Sequence, residues 1–262
     1  MEKLDSASNK TWFELKSAII IQTRMGSTRL PGKVLMKADE TDLMLDYSIN
    51  QLKNCKYHDK IIIATSNLQR DDPIAKHCEN LDVEIFRGDE QDVLDRHYKC
   101  AKKFSLSHIV RIPSDKPLID PQIVDSMTKL FIDNNFDYLA NFEMTQKNNS
   151  SVFNSTYPSG TEVEVFSFDA LELAWKDAKT ADEREHVTPY LYSNPDKFKI
   201  KNIQQPKDLS HYRWSLDYEN DMYLIREIIK RISSRPILMD NIIQLLEDNY
   251  ELYRINKTKV ES

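Results

Sequence analysis

Ala18-Ile19-Ile20-Ile21 runs directly into Gln22-Thr23-Arg24-Met25-Gly26-Ser27-Thr28-Arg29-Leu30-Pro31-Gly32-Lys33. The first four residues are an uninterrupted apolar run with polar neighbours, the pattern of a strand buried on both faces. The twelve that follow combine Arg24, Arg29 and Lys33 with two glycines, one proline and the adjacent hydroxyls Ser27 and Thr28. Open parallel sheets bind ligands beyond the carboxyl ends of their strands, where this segment would lie. Glycines let backbone N–H groups approach phosphate oxygens. Arginine can hold two such oxygens at once, and Pro31 would stiffen the loop. A basic surface loop without a ligand is the competing reading. Two familiar phosphate loops are excluded by spacing. A Walker A loop has four residues between its glycines and a hydroxyl after its lysine, and dinucleotide loops carry GxGxxG. Here five residues separate Gly26 from Gly32, and Val34 follows Lys33.

Outward from this segment, Ile61-Ile62-Ile63-Ala64, Val83-Glu84-Ile85-Phe86 and His108-Ile109-Val110-Arg111 read as three further strands. Helical patterns lie between and after them, at residues 43–52, from 71 onward, 89–104 and 121–131. Strand-helix alternation predicts an α/β fold with three layers, α/β/α, and a Rossmann-like, mostly parallel mixed sheet. The second half is less regular. Residues 144–156 are rich in Asn and Ser and read as a loop, and residues 161–165 alternate as an antiparallel strand would. Helices are expected at 169–178, 182–192, 221–232 and 239–246. The expected partition is a polar extension over residues 1–16, then one domain over 17–262 with a small inserted hairpin arm.

Composition narrows the function classes. With 262 residues, 40% hydrophobic and 30% charged, the chain can bury a continuous core. A net charge of −6 argues against nucleic acid as a partner, and no apolar run approaches the length of a membrane span. Cys55, Cys78 and Cys100 form no CxxC pair, which favours a reducing cytoplasm. Histidines show no metal-ligand spacing. The chain has only 4 glycines, where average usage of about 7% would give roughly 18. Gly26, Gly32, Gly88 and Gly160 are therefore expected at positions of positive φ or close approach, with ordinary turns as the alternative.

Arg24-Met25-Gly26-Ser27-Thr28-Arg29-Leu30-Pro31-Gly32-Lys33 resembles the signature loop of the cytidylyltransferases that activate sugars as CMP derivatives. The resemblance is to the group typified by spore-coat polysaccharide biosynthesis protein F. That group is related to the acylneuraminate and 3-deoxy-manno-octulosonate cytidylyltransferases. It covers residues 17–232 and implies the nucleotidyltransferase fold of that family, CTP as substrate, Mg2+ as cofactor, a sugar-type acceptor and a homodimer with the arm over residues 141–166 as a contact. By the same resemblance the nucleotide would be held by Gln22, Thr23, Arg24, Met25, Gly26, Ser27, Arg29 and Lys33. Small side chains near Thr65 and Ser66 would meet the base.

Pro113-Ser114-Asp115-Lys116-Pro117-Leu118-Ile119-Asp120-Pro121 resembles the family's second signature, in which a Gly-Asp pair precedes Pro-Leu-Ile-Asp-Pro. The carry-over makes Asp115 a magnesium ligand and puts Ser114 beside the nucleotide. Ser114 and Lys116 depart from the family pattern, and Lys116 either pairs with an anion or points to solvent. Arg213-Trp214-Ser215-Leu216-Asp217 resembles the family's Trp-x-x-Asp segment and implies Asp217 as the second metal ligand. From the residues alone Asp217 reads equally well as a helix cap. Asp221 reads as a first-turn acid favoured by the helix dipole. Arg24, Lys33, Asp115 and Asp217 are the implied catalytic set.

On the acceptor side, Gly160-Thr161-Glu162-Val163-Glu164-Val165 resembles the family's substrate strand. Alternation puts Glu162 and Glu164 on one face, to accept from sugar hydroxyls or to form the exposed face of an edge strand. Glu183-Arg184-Glu185-His186 resembles a block whose Arg184 and His186 would contact the acceptor, although lone histidines are more often structural. Arg87-Gly88-Asp89-Glu90-Gln91-Asp92 is also family-like, with Gly88 and Asp92 as candidate contacts, and Asp95 and Arg96 read as a helix ion pair. Three other functions compete: transfer from another NTP or to a phosphonate or polyol, a glycosyltransferase, and a non-catalytic nucleotide sensor. No Asp-x-Asp triplet occurs, which counts against the glycosyltransferase.

Overall fold

The computed structural model describes residues 16–147 and 150–256. The expected extension therefore lies outside the described residues apart from Lys16. The first half alternates as the apolar runs require: β1 (Ser17–Gln22), α1 (Met44–Leu52), β2 (Lys60–Ser66), α2 (Asp72–Cys78), β3 (Glu84–Gly88), α3 (Val93–Lys103), β4 (His108–Pro113) and α4 (Pro121–Asn134). Then follow β5 (Tyr138–Ala140), β6 (Glu143–Lys147), β7 (Ser150–Asn154), β8 (Glu164–Ser167), α5 (Phe168–Asp177), α6 (Ala181–His186), α7 (Pro189–Tyr192) and β9 (Ile200–Asn202). The described chain closes with α8 (Glu219–Arg231), α9 (Met239–Asp248) and α10 (Tyr250–Arg254).

Seven of these strands form one sheet in the order β3-β2-β1-β4-β8-β5-β9. All pairings are parallel except those of β8, which runs antiparallel to β4 and β5. Alternation along each strand divides the core. Ala18, Ile20, Ile62, Ala64 and Ile109 meet α3 and α5 on one face. Ile19, Ile21, Ile61, Ile63, Val110 and Ile112 meet α1, α2 and α4 on the other. Burial on both faces is why these strands read as continuous Ile and Val runs. A third apolar cluster joins Leu30 and Tyr47 to Trp214, Leu216 and the apolar sides of α8 and α9. The expected three-layer, mostly parallel mixed α/β architecture is the one observed.

Four expectations need correction. The Asn- and Ser-rich segment read as a loop contains the antiparallel pair β6–β7, which are the two strands of the expected hairpin arm. The helix expected over 182–192 is two helices, because Val187 adopts φ 74 and Pro189 starts a new one. The strand expected over 161–165 starts at Glu164, and it lies inside the sheet, not at its edge. The helix expected from 89 starts at 93. Asp89 Oδ1 accepts from Gln91 N and Asp92 N at 2.8 Å each, closing a turn, and Asp92 then caps α3 by accepting from Asp95 N at 2.9 Å.

Two glycines carry positive φ, Gly32 at 71° and Gly160 at 109°. A Cβ on Gly160 would also stand 2.9 Å from Ser215 N, so both backbone and packing exclude a side chain there. Gly160→Ala is expected to destabilise the fold by about 2 kcal/mol or more, read as a lowered midpoint in urea. An unchanged midpoint would contradict the close contact with the segment that carries Asp217.

Candidate active site

The phosphate-type loop leaves β1 at the carboxyl edge of the sheet and is tied down along its length. Thr23 N donates to Ala64 O of β2 at 3.1 Å, and Ser114 N donates to Gln22 O at 3.0 Å, so the loop start is wedged between the ends of β2 and β4. Met25 N donates to Asp71 Oδ1 at 2.7 Å, and Gly32 N closes the loop on Met25 O at 3.0 Å. Ser27 Oγ accepts from Leu30 N at 3.4 Å. Leu30 is buried among Trp214 and Leu216, so the loop is anchored into the third core cluster. This is more than a basic surface loop. Arg24 and Arg29 reach solvent, but Lys33 is buried.

Lys33 points at the segment before α8. Its Nζ donates to Leu216 O and lies 3.1 Å from Asp217 Oδ1. Arg29 stands 2.9 Å from the same oxygen, and Arg213 holds Oδ2 at 2.9 Å. Asp217 is thus not the helix cap. Asp221 takes that part, with Oδ2 accepting from Asp217 N and Tyr218 N at 2.9 Å each. The expected first-turn role of Asp221 holds, and in addition it pairs with Arg213 at 3.0 Å.

Asp115 comes alongside because its backbone carbonyl accepts from Leu216 N at 2.7 Å. Its Oδ1 is enclosed and has no hydrogen-bond partner among the described residues. The two aspartates are pushed in opposite directions. Burial raises the Asp115 carboxyl above its ordinary range, against the pull of Lys116 and Lys33. Burial acts on Asp217 too, but the Arg213 hydrogen bond and the charges of Lys33 and Arg29 outweigh it and hold that carboxyl low. Gln22, Thr23, Arg24, Ser27, Arg29, Lys33, Ser114, Asp115 and Asp217 line one cleft of about 180 Å³. Among the described residues no group of three or more His, Cys, Asp or Glu could cage a metal. Two carboxylates, one with an oxygen lacking any partner, instead fit a divalent cation completed by phosphate oxygens and water.

The acceptor-side candidates are gathered at the same edge of the sheet but are engaged with one another. Glu162 precedes β8 and is buried. Its Oε2 accepts from Gly160 N at 3.0 Å and pairs with Lys116 at 3.2 Å. Lys116 therefore does not point to solvent. Glu164 lies within β8, facing Arg111, and its Oε1 accepts from Tyr138 at 2.8 Å and Thr188 at 2.6 Å. The two glutamates do not present one free carboxylate face. Arg111 also donates to Gln22 Oε1 at 3.0 and 3.2 Å, linking this cluster to the loop.

Arg184 forks over Asp92, with Nε 2.9 and 3.0 Å from the two carboxylate oxygens. Gly88 is needed for packing, since a Cβ there would meet Arg96 Cγ at 2.8 Å. Arg96 is buried and donates to Asp89 O at 2.9 Å, while Asp95 pairs with Lys99, so the helix ion pair expected from Asp95 and Arg96 is absent. His186 is exposed, 3.6 Å from Asp182, and stands outside this cluster. Its neighbour Glu185 reaches Arg24 at 3.9 Å. Thr65 is buried away from the cleft lining, and Ser66 donates its hydroxyl to Asp71, which in turn holds Met25 N. Arg111, Asp71 and Arg213 are the participants that sequence reasoning did not assign. Arg111 ends the fourth apolar run and Arg213 opens the segment that leads to Asp217, but their partners lie on other strands or turns.

A family model described as cytidylyltransferase matches residues 18–258. An uncharacterized protein of Methanocaldococcus jannaschii is 38% identical over 239 residues, covering 90% of this chain and 93% of its own. The spore coat polysaccharide biosynthesis protein SpsF of Bacillus subtilis is 31% identical over 238 residues, covering 88% and 93%. The solved structure of a cytidylyltransferase from Leptospira borgpetersenii superposes with a TM-score of 0.83 at 30% identity, over 93% of this chain and 98% of that one.

Proposed function

This chain belongs to the cytidylyltransferase family, and from that premise we propose that it couples CTP to a hydroxyl of a sugar or sugar acid, with magnesium, releasing pyrophosphate and a CMP-activated sugar for surface polysaccharide or glycan synthesis. The observation that carries the reading is the enclosed Oδ1 of Asp115, without a partner among the described residues, in one cleft with Asp217, Arg24, Arg29 and Lys33. A site of that composition suits a triphosphate and a divalent cation together.

The acceptor oxygen attacks the α-phosphorus of CTP. A phosphorus–oxygen bond forms, the bond to the β-phosphate breaks, pyrophosphate departs with the electron pair, and the hydroxyl proton is lost to solvent. Arg24 and Arg29 bind the phosphate oxygens from the exposed side, and Lys33 stabilises the charge that develops on the leaving group. Gly26, lacking a side chain, allows the close approach of the triphosphate to the loop backbone, while the Gly32 N–H stays on Met25 O. Asp115 and Asp217 would hold the Mg2+, which supplies Lewis-acid polarisation of the α-phosphate when bound. Thr23 Oγ1 is buried without a partner in the cleft wall and serves the cytosine edge. Ser66 and Asp71 position the loop through Met25 and do not themselves touch the nucleotide. Asp92–Arg184, Glu162–Lys116 and Glu164–Arg111 frame the acceptor, and charge pairing keeps each side chain in one orientation. Positioning and electrostatics supply the rate, with no covalent enzyme intermediate.

We read residues 17–262 as the one catalytic domain. Two copies would associate through the β6–β7 arm, where Phe153 is half exposed and packs on Phe142 at 5.2 Å. Three free cysteines suit a reducing cytoplasm, and no helix among the described residues is long and apolar enough to cross a membrane. Pyrophosphate release should be measured with CTP, UTP, GTP and ATP over a panel of neutral sugars, sugar acids, polyols and phosphonates. CTP is expected to be preferred by about 100-fold or more over the other nucleotides with a sugar-type acceptor. A higher rate with another nucleotide, or with a polyol or phosphonate, would replace this reading by the related one.

A further inference from the structure

Asp217 is already satisfied by the protein's own side chains. Arg29 and Lys33 lie 2.9 and 3.1 Å from Oδ1, and Arg213 lies 2.9 Å from Oδ2. These three cations are not equivalent. Lys33 is buried and also donates to Leu216 O. Arg213 is also paired with Asp221 at 3.0 Å. Arg29 is half exposed, at 52%, and pairs with no carboxylate other than Asp217 among the described residues. It rests against the face of Tyr218, its guanidinium 5.3 Å from the ring centroid, and Tyr218 is itself half exposed.

Local charge balance makes Arg29 decisive. Lys116 is answered by Glu162 and Arg213 by Asp221. The two aspartates Asp115 and Asp217 are then neutralised by Lys33 and Arg29. A divalent cation approaching Asp217 meets Oδ1 occupied on both sides and a net charge near zero. A triphosphate presents oxygens that compete with Asp217 for Arg29, and arginine binds phosphate by two hydrogen bonds at once. Transfer of Arg29 to the nucleotide frees one side of Asp217 Oδ1, which keeps Lys33 on the other, and leaves the two aspartates with an excess negative charge.

From this arrangement, and resting on the metal reading proposed above, we propose that Arg29, besides binding the nucleotide, acts as an electrostatic interlock. It stands in for the metal on Asp217 until nucleotide draws it away, so nucleotide binds before the metal. Tyr218 keeps the guanidinium beside the cleft through its ring face and side-chain hydrogen bonding.

The interlock requires Arg29→Gln to change two affinities in opposite directions, which a merely structural residue would not do. In the absence of nucleotide, Mn2+ binding followed by electron paramagnetic resonance is expected to tighten at least about tenfold in R29Q, since a charged hydrogen bond to a buried carboxylate is lost. In EDTA, CTP binding by calorimetry is expected to weaken about tenfold or more in the same variant. Arg29 is half exposed, so the fold should survive, and R29K, which keeps a cation in reach of Asp217, should bind Mn2+ as the unchanged protein does. Adding D217N to R29Q should erase the gain. If D217N weakens Mn2+ binding but R29Q does not strengthen it, the interlock is wrong while the metal assignment stands. If neither D115N nor D217N alters Mn2+ binding in either background, the metal assignment fails and the interlock fails with it.

Discussion

Asp115→Asn is expected to lower pyrophosphate release by about 10³-fold or more without lowering stability. The two halves of that expectation have one cause. A carboxylate oxygen enclosed without a partner is a cost to the fold, and burial drives Asp115 toward its neutral form. Asparagine has the same shape and no charge to desolvate, so the melting temperature should hold or rise. The same change removes the charge that a divalent cation on the triphosphate needs, and with it the largest electrostatic contribution available in the cleft. Such opposition of stability and activity is the mark of a residue kept for chemistry. Steady-state turnover and calorimetric melting of the same preparation check it. Near-normal turnover would remove Asp115 from the metal site. A large loss of stability would instead mean that Asp115 holds the segment before α8 in place through its side chain and not only through its backbone.

Much of this site is legible in the sequence because its parts are local. The loop from Gln22 to Lys33 follows a strand whose run of isoleucines identifies a doubly buried position, and Gly32 has the positive φ that the count of glycines suggests. The 3-residue strands β5 and β9 escape notice because three residues display no period. The two strands of the expected hairpin arm are equally hidden. Residues 144–156 are too polar to alternate visibly, and the pairing of β6 with β7 satisfies backbone groups whatever the side chains are. The helix break at Val187 shows only as the Thr188-Pro189 that follows, since a β-branched residue gives no sign that it will take φ 74. Long-range pairs are invisible for a different reason. Glu164 looks like one member of an alternating polar face, and only the register of β8 against β4 puts it opposite Arg111. The partner, not the residue, decides whether a carboxylate is a free ligand for sugar hydroxyls or half of an ion pair.

That pair yields the second large effect. Glu164→Gln is expected to destabilise the protein by about 3–5 kcal/mol, the usual result of leaving one charge of a buried pair without its partner. For a chain of this size that is a fall of roughly 10 °C in the melting temperature. The hydroxyls of Tyr138 and Thr188 can still donate to the amide oxygen, so the loss isolates the charge on Arg111. Nothing nearby takes over. His97 is enclosed, donates Nδ1–H to Val93 O at 2.9 Å, and is driven far below its ordinary range by burial and by Arg111, so it stays neutral. Arg96 is a second buried cation beside it, held down to about 10 by burial, with Arg24 adding repulsion. Replacing both partners, E164Q with R111M, should restore stability to within about 1 kcal/mol, because an uncharged pair of similar volume avoids both charge-desolvation costs while the new amide oxygen keeps the Tyr138 and Thr188 hydrogen bonds. The double variant then separates two uses of the cluster. Arg111 also clamps Gln22 at the start of the loop, so a stable double variant with a raised KM for CTP would show that the pair orients the nucleotide site. One with a raised KM for the acceptor alone would put the pair on the acceptor side. If E164Q melts within about 1 kcal/mol of the unchanged protein, the pair is not the buried anchor that its geometry describes.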